Sequence, residues 1–300
     1  MSIHAELPRV AFIGLGTMGH PMATRIAGAG YPLAVHDVRQ DVAVEVARSL
    51  AARHAVSPAD AARDAGFVIT MLPSSREVEA AVLGLGGTPG VLATARPGTL
   101  LLDMSSSDPV RTRVLSQTVL EAGCTLVDAP VSGAVRRARD GTLSIMFGGS
   151  EEALEACRPV LSCMGSAIFQ VGATGTGHAM KALNNYVSAA GLLATVEALH
   201  VGRRFGIDPR VMTQVLNAST GRNNTTENKV EAFMLSGSFA SGFLLELMAK
   251  DVGIARDLAA GLGVAAPVAD LCSELWRKAA AGEGRGADHT AMYRLLDPDA

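Results

Sequence analysis

From the N-terminus to about residue 171, short β-branched and aliphatic runs alternate with stretches whose apolar positions recur every three or four residues. The runs predict strands at Arg9–Ile13, Leu33–His36, Phe67–Leu72, Thr99–Asp103, Thr125–Val127, Ser144–Phe147 and Ala167–Gln170. The periodic stretches predict helices near Met18–Ala29, Asp41–Ala52, Ser75–Val82, Pro109–Glu121 and Glu151–Ser162. Alternation of this kind implies a mostly parallel, doubly wound sheet with helices on both faces, an α/β Rossmann arrangement. The run from Gly84 to Gly90 holds too many breakers for a helix or strand and reads as a loop.

The pattern changes at Val171–Gly177. Beyond it the β-branched clusters disappear, and helical periodicity covers Ala179–Phe205, Pro209–Asn217, Thr226–Met234, Leu244–Gly261 and Ala266–Ala281. Two domains follow: an α/β domain over residues 1–171 and an all-α domain over 172–300. The run Ala179–Phe205 is far longer than the usual helix of about 11–12 residues. Such a helix joins domains or runs through a dimer core.

Composition adjusts this picture little. The 300 residues are 48% hydrophobic and 18% charged, so a large core is available. Aromatics are only 4%, which leaves most of the packing to Ala, Val and Leu. A net charge of −3 gives no broad attraction for nucleic acid or an anionic membrane, and Arg136, Arg137 and Arg139 form the one tight basic run. Cys124, Cys157, Cys163 and Cys272 lack metal-ligand spacing and read as reduced thiols of a cytoplasmic protein, with no metal expected. The polar start and the early break at Gly14 predict no leader segment, and no apolar stretch is long enough to span a bilayer.

The first chemical signal is Gly14-Leu15-Gly16-Thr17-Met18-Gly19, placed after a predicted strand and opening a helix. In that context Gly14 serves the tight turn and Gly16 the approach of a pyrophosphate. Gly19 serves close helix–strand packing, and the helix N-terminus faces the phosphates. Asp37, at the end of the next strand, stands where a carboxylate binds adenosine ribose hydroxyls. It also repels the extra phosphate of NADP, which Arg39 partly offsets, so NAD is the favoured dinucleotide and NADP the second choice. Met71-Leu72-Pro73-Ser74 leaves a strand on the ligand side of such a sheet. Of Asp103–Pro109, Ser107 or Asp108 reads as a helix N-cap, leaving one or two of the remaining hydroxyls for the nicotinamide.

In Gly172–Asn185 a glycine loop enters a helix on which Lys181 and Asn185 are four apart and share a face. Together they can hold and polarise a substrate oxygen. Taken alone, the lysine reads more readily as one extending from a helix surface, the usual fate of lysine. Asp128-Ala-Pro-Val-Ser132-Gly133-Ala134, at another strand end, can bind a carboxylate through Ser132 and neighbouring N–H groups, or be a plain Pro-Ser-Gly turn.

These motifs, in this order, resemble the β-hydroxyacid dehydrogenase family, to which the 3-hydroxyisobutyrate dehydrogenases belong. Gly14–Gly19, Asp128–Ala134, Gly172–Asn185 and the late pair Lys250-Asp251 carry the resemblance over nearly the whole chain. Ala134 departs from it, since the family pattern has glycine there. The resemblance implies a Rossmann domain followed by an all-helical domain, in a homodimer or homotetramer. It implies hydride transfer between NAD(P) and a small 3-hydroxy acid, with Lys181 as general acid/base and Asn185 orienting substrate or lysine. Ser132, Gly133 and Asn184 would bind substrate. Leu15, Thr17, Met18 and the loop glycines, with Leu72, Pro73, Ser106 and Lys250, would line the cofactor site.

Other readings stay open. The substrate can be another short semialdehyde or sugar acid: tartronate, threonate, or succinic or glyoxylic semialdehyde. Imine reductases share the architecture but generally replace the lysine. 6-Phosphogluconate dehydrogenases are much longer. A non-catalytic NAD(P)-binding scaffold would not need Lys181 and Asn185. The polar loop Ser219–Thr226 caps a substrate pocket or is an exposed interhelix connection.

Overall fold

In the computed structural model, which describes residues 7–283 and 286–296, β1 (Val10–Ile13), β2 (Leu33–His36) and β4 (Phe67–Thr70) are buried along their whole length. Burial on both faces explains why these strands read as unbroken apolar runs. With β3 (Arg53–His54), β7 (Leu100–Asp103) and β8 (Thr125–Asp128) they pair in the order β3-β2-β1-β4-β7-β8, every neighbour parallel. The chain order reverses between β1 and β4, so the carboxyl ends of these strands flank a crevice, the usual ligand position in an open α/β sheet. Beyond β8 the direction changes. β10 (Leu143–Gly148) runs antiparallel to β8, β11 (Gly165–Gly172) parallel to β10, and the short β9 (Val131–Ser132) pairs antiparallel with β10.

Alternate residues of one strand enter different cores. Val10 and Phe12 pack with Met22, Ile26 and Val46 on one face; Ala11 and Ile13 pack with Ala61, Val78 and Val82 on the other. The two-faced sheet inferred from the sequence is therefore the sheet observed.

Several details differ from expectation. The glycine-rich run read as a loop folds into a small hairpin of β5 (Gly84–Leu85) and β6 (Thr88–Pro89). Its glycines supply the left-handed turn residues that a hairpin needs. The third predicted strand stops at Thr70, before Met71. The helices Pro58–Ala62 and Ala134–Asp140 were not anticipated, because five to seven residues are too few to display a period. Thr226–Met234 is not one helix but a short helix Asn224–Asn228 followed by a π-helical turn Val230–Met234.

The chain divides into two compact units, Met1–Lys181 and Ala182–Ala300. The helix Thr176–Phe205 starts in the first and continues through the second. The second unit adds helices Pro209–Ala218, Leu245–Gly261, Pro267–Glu283 and Met292–Leu296. Its core gathers Leu192, Val196, Leu199, Met248 and Val252 around the fully buried Trp276. Among the described residues, no helix is long and apolar enough to cross a membrane.

Candidate active site

The loop after β1 closes against its neighbours. A Cβ on Gly19 would collide with the carbonyl oxygen of Gly14 and press on the Phe12 ring, so glycine lets the helix Gly19–Gly28 sit directly on the strand end. At Gly16 the situation is the reverse: an added Cβ meets nothing within 4 Å, and the backbone faces open space. Beside the loop runs an open groove of about 520 Å³, lined by Gly16, Thr17, His20, Arg39 and Arg139 among others and by no carboxylate. Met18 packs partly buried against the sheet core.

Asp37 ends β2 and anchors this loop. Its Oδ2 accepts the Leu15 N–H at 2.8 Å, and its Oδ1 accepts the Arg39 N–H at 2.9 Å and the Arg39 Nε–H at 3.1 Å. Burial alone would raise the Asp37 carboxyl, but hydrogen bonds from the Arg39 side chain, the Arg39 N–H and the Leu15 N–H outweigh it and hold the group below its ordinary value. The open approach at Gly16, a helix start that no side chain caps and the acid on β2 together fit a dinucleotide. Pyrophosphate would lie at Gly16 and ribose at Asp37.

Across the crevice, Leu72 and Pro73 follow β4. The Leu72 N–H donates to Ser105 Oγ at 2.9 Å. The hydroxyl-rich run after β7 is largely internal. Asp103 Oδ1 accepts from Thr70 Oγ1 and from the Ser105 N–H, both at 3.0 Å, and Asp103 Oδ2 from Ser107 Oγ at 2.7 Å. Asp108, rather than Ser107, caps the helix Pro109–Glu121. Ser105 and Ser107 are buried, which leaves Ser106 as the half-buried hydroxyl of the three.

Ser132 lies on β9, paired with Ser144, and Gly133 follows it at a φ of +135°. Ala134 then takes a φ of +56°, the left-handed region in which a side chain is costly. This is the position where the family pattern has glycine.

Lys181 sits on the second turn of the helix Thr176–Phe205 and is only 9% exposed, against the usual fate of a lysine. The start of that helix is fixed by residues that lie within the motifs but to which motif reading gave no role. Asp128 Oδ1 accepts the Gly175 N–H at 2.6 Å and Oδ2 the His178 N–H at 2.7 Å. His178 itself is buried between Asp103 and Asp128. The clue in the sequence was an aspartate closing each of two adjacent strands, Asp103 and Asp128, at equivalent places in register.

In the second unit a polar chain forms around the predicted residues. Asn184 Nδ2 donates to Asn185 Oδ1 at 3.1 Å, and Asn185 Nδ2 donates to Asp251 Oδ2 at 2.6 Å. Lys250 Nζ lies 3.4 Å from Asp251 Oδ1. Asn185 and Asp251 are both buried. The loop Ser219–Thr226 is polar for a structural reason. Asn223 caps Asn224–Asn228 in a reciprocal box with Thr226 and also donates to Thr195 Oγ1 at 3.0 Å.

All four cysteines are free, and burial pushes the Cys157 thiol up to about 12 and the Cys272 thiol up to about 11. These thiols stay protonated and belong to the packing.

A parallel sheet of this order, with the glycine loop at β1 and the acid at β2, defines an NAD(P)-binding Rossmann unit joined to a helical unit. Residues 9–172 match the NAD-binding domain of 6-phosphogluconate dehydrogenase, and residues 175–296 match the NAD-binding domain of NADP-dependent 3-hydroxyisobutyrate dehydrogenase. The chain belongs to the β-hydroxyacid dehydrogenase family. It is 37% identical to the human mitochondrial 3-hydroxyisobutyrate dehydrogenase, over 98% of this chain and 88% of the relative. It is also 37% identical to the NAD-dependent L-serine dehydrogenase of Pseudomonas aeruginosa, over 97% and 99%. The structure of Mycobacterium tuberculosis 3-hydroxyisobutyrate dehydrogenase with L-serine superposes with a TM-score of 0.89 at 32% identity, covering 97% of this chain and 99% of that one.

Proposed function

We propose that this protein oxidises a small 3-hydroxy acid of the 3-hydroxyisobutyrate type, or reduces the matching semialdehyde, with NAD as the favoured dinucleotide. The observation that carries the reading is Lys181, a buried lysine on a helix whose first turn is tied to the carboxyl end of the sheet. The substrates that the relatives are named for support it, since 3-hydroxyisobutyrate and serine both carry a hydroxyl on the carbon β to a carboxylate.

When bound, the nicotinamide dinucleotide supplies the hydride carrier. The work of the chain is to bind, orient and move a proton. In the oxidative direction Lys181 Nζ takes the hydroxyl proton as the carbon loses a hydride; in the reductive direction it returns a proton to the oxygen. Asn185, held by Asp251, orients the oxygen or the lysine, and Lys250 neutralises Asp251 from the other side. Ser132, the N–H groups around Gly133, and Asn184 hold the substrate carboxylate. Gly14–Gly19, Asp37, Leu72, Pro73 and Ser106 bind the dinucleotide. On this reading residues 1–171 serve the dinucleotide, and 172–300 serve substrate and assembly into a homodimer or homotetramer, which light scattering measures directly.

The test is turnover of a panel of 3-hydroxy acids with NAD and with NADP, in the native chain and in Lys181→Ala. Turnover on at least one acid is expected, and Lys181→Ala should lower kcat by about 10²–10⁴-fold while dinucleotide affinity changes little. Near-native turnover in that variant removes Lys181 from the reaction. Tight dinucleotide binding with no turnover across the panel favours a scaffold.

A further inference from the structure

Three ionisable side chains meet in the interior of the first unit. Asp103, Asp128 and His178 are each at most 2% exposed. His178 Nε2 lies 3.6 Å from Asp103 Oδ2, and His178 Nδ1 lies 3.8 Å from Asp128 Oδ2. The Thr112 hydroxyl is 2.9 Å from His178 Nδ1 and also 2.9 Å from the Asp108 carbonyl oxygen. A hydroxyl has one hydrogen, and the carbonyl can only accept it, so His178 Nδ1–H is the donor to Thr112. The imidazole thus hydrogen-bonds to the helix Pro109–Glu121 through Thr112 and packs between the carboxyl groups that end β7 and β8 without a hydrogen bond to either.

The backbone around it makes the same connection. Asp128 accepts the N–H groups of Gly175 and His178, which open the helix Thr176–Phe205 and have no partner within it. A carboxylate from another strand therefore caps this helix, in favourable alignment with the helix dipole. Gly177 makes the approach possible, since a Cβ there would stand 2.9 Å from Asp128 Oδ2. Burial pushes the Asp128 carboxyl upward, and His178 with the two N–H donors partly opposes this, so the network is costly to keep inside. Lys181 lies three residues beyond His178, on the next turn of the same helix.

We propose that Asp128 and His178 are positioning residues for Lys181: the carboxylate fixes the first turn of the lysine's helix to the end of β8, and the imidazole, packed between Asp103 and Asp128, ties that turn to the helix Pro109–Glu121 through Thr112. This rests on the assignment of Lys181 as the acid–base residue. Neither residue touches substrate or dinucleotide on this account. Displacing a reacting group by about 1 Å can cost on the order of 10²-fold in rate without loss of ground-state binding.

The experiment compares Asp128→Asn and His178→Asn with the native enzyme, reading kcat, KM for the hydroxy acid, NADH affinity by fluorescence, and the melting temperature. Asp128→Asn turns an NH2 group toward a backbone N–H in place of an acceptor. His178→Asn keeps a group facing Thr112 but withdraws from Asp103. Both are expected to lower kcat about 10–100-fold, with KM and NADH affinity within about threefold of native. If Asp128→Asn does not accumulate as folded protein, His178→Asn, which keeps both N–H bonds to Asp128, carries the same test. Native kcat in the folded variants overturns the proposal, as does a parallel loss of kcat and NADH affinity, which would mark a merely structural role. Lys181→Ala, measured alongside, separates the two claims. Native turnover there overturns the lysine assignment, whereas loss there with native kcat in the Asp128 and His178 variants overturns only this inference.

Discussion

Ala134 shows how much one side chain can say. It holds a left-handed backbone that costs a non-glycine residue about 1–2 kcal/mol. Replacement by glycine removes that strain but adds freedom to the unfolded chain worth about 0.4–1 kcal/mol. Ala134→Gly is therefore expected to leave the melting temperature unchanged or raise it by up to a few degrees; a clear drop in a thermal scan would contradict the strain. Asp37 presents a different balance, since its carboxylate both anchors the Leu15 N–H and pairs with Arg39. Asp37→Ala should weaken both dinucleotides by loosening the glycine loop. NAD should lose about tenfold more than NADP, whose extra phosphate no longer meets a carboxylate. Equal losses in a binding titration would argue against ribose recognition by Asp37. The glycine loop and the acid on the next strand stood out by spacing, whereas Lys181 stood out only through its place in the family pattern. Asp128 and His178 did not stand out, because a buried ionisable network leaves no periodic trace in one dimension.

Among the elements, legibility followed length. The strands β1, β2, β4, β7 and β8 stood out as apolar runs and the long helices by their period, whereas β3, β9 and the helix Pro58–Ala62 span two to five residues and display neither. The last described segment depends on polar ties that no hydrophobic pattern foretells. Asp288 accepts hydrogen bonds from Ser241 Oγ, the Gly242 N–H and the Thr290 N–H, fastening the segment at His289–Ala291 to the loop before Leu245–Gly261. Burial alone would raise this carboxyl; bonds from His289, Thr290 and Ser241 prevail and hold it well below the usual carboxylate range. A lowered folded-state pKa adds stability that is complete above the unfolded value of about 4 and drains away as pH falls below it. Asp288→Asn is thus expected to cost about 1.5–3 kcal/mol at pH 7. The gap from native should shrink progressively below roughly pH 5, as Asp288 of the unfolded chain takes up a proton that the folded carboxylate does not. A gap of constant size down to pH 3 would show that ionisation of Asp288 does not matter. Nearby, burial pushes the Lys229 amine down to about 8, with Asp288 opposing.

For the molecule as a whole, strand–helix alternation and its abrupt end were enough to foresee an α/β unit followed by a helical one. What alternation could not reveal was the reversal at β10, because strand direction depends on which neighbour a strand finds, not on its own residues. The scarcity of aromatics has a practical outcome. The chain has a single tryptophan, Trp276, sealed in the core of the helical unit. Light absorbed by that one indole makes it a private reporter for half the polypeptide. Melting followed through its emission tracks the helical unit alone, while the quenching or energy transfer brought by an added dinucleotide would be heard only if that event reaches across to the other half.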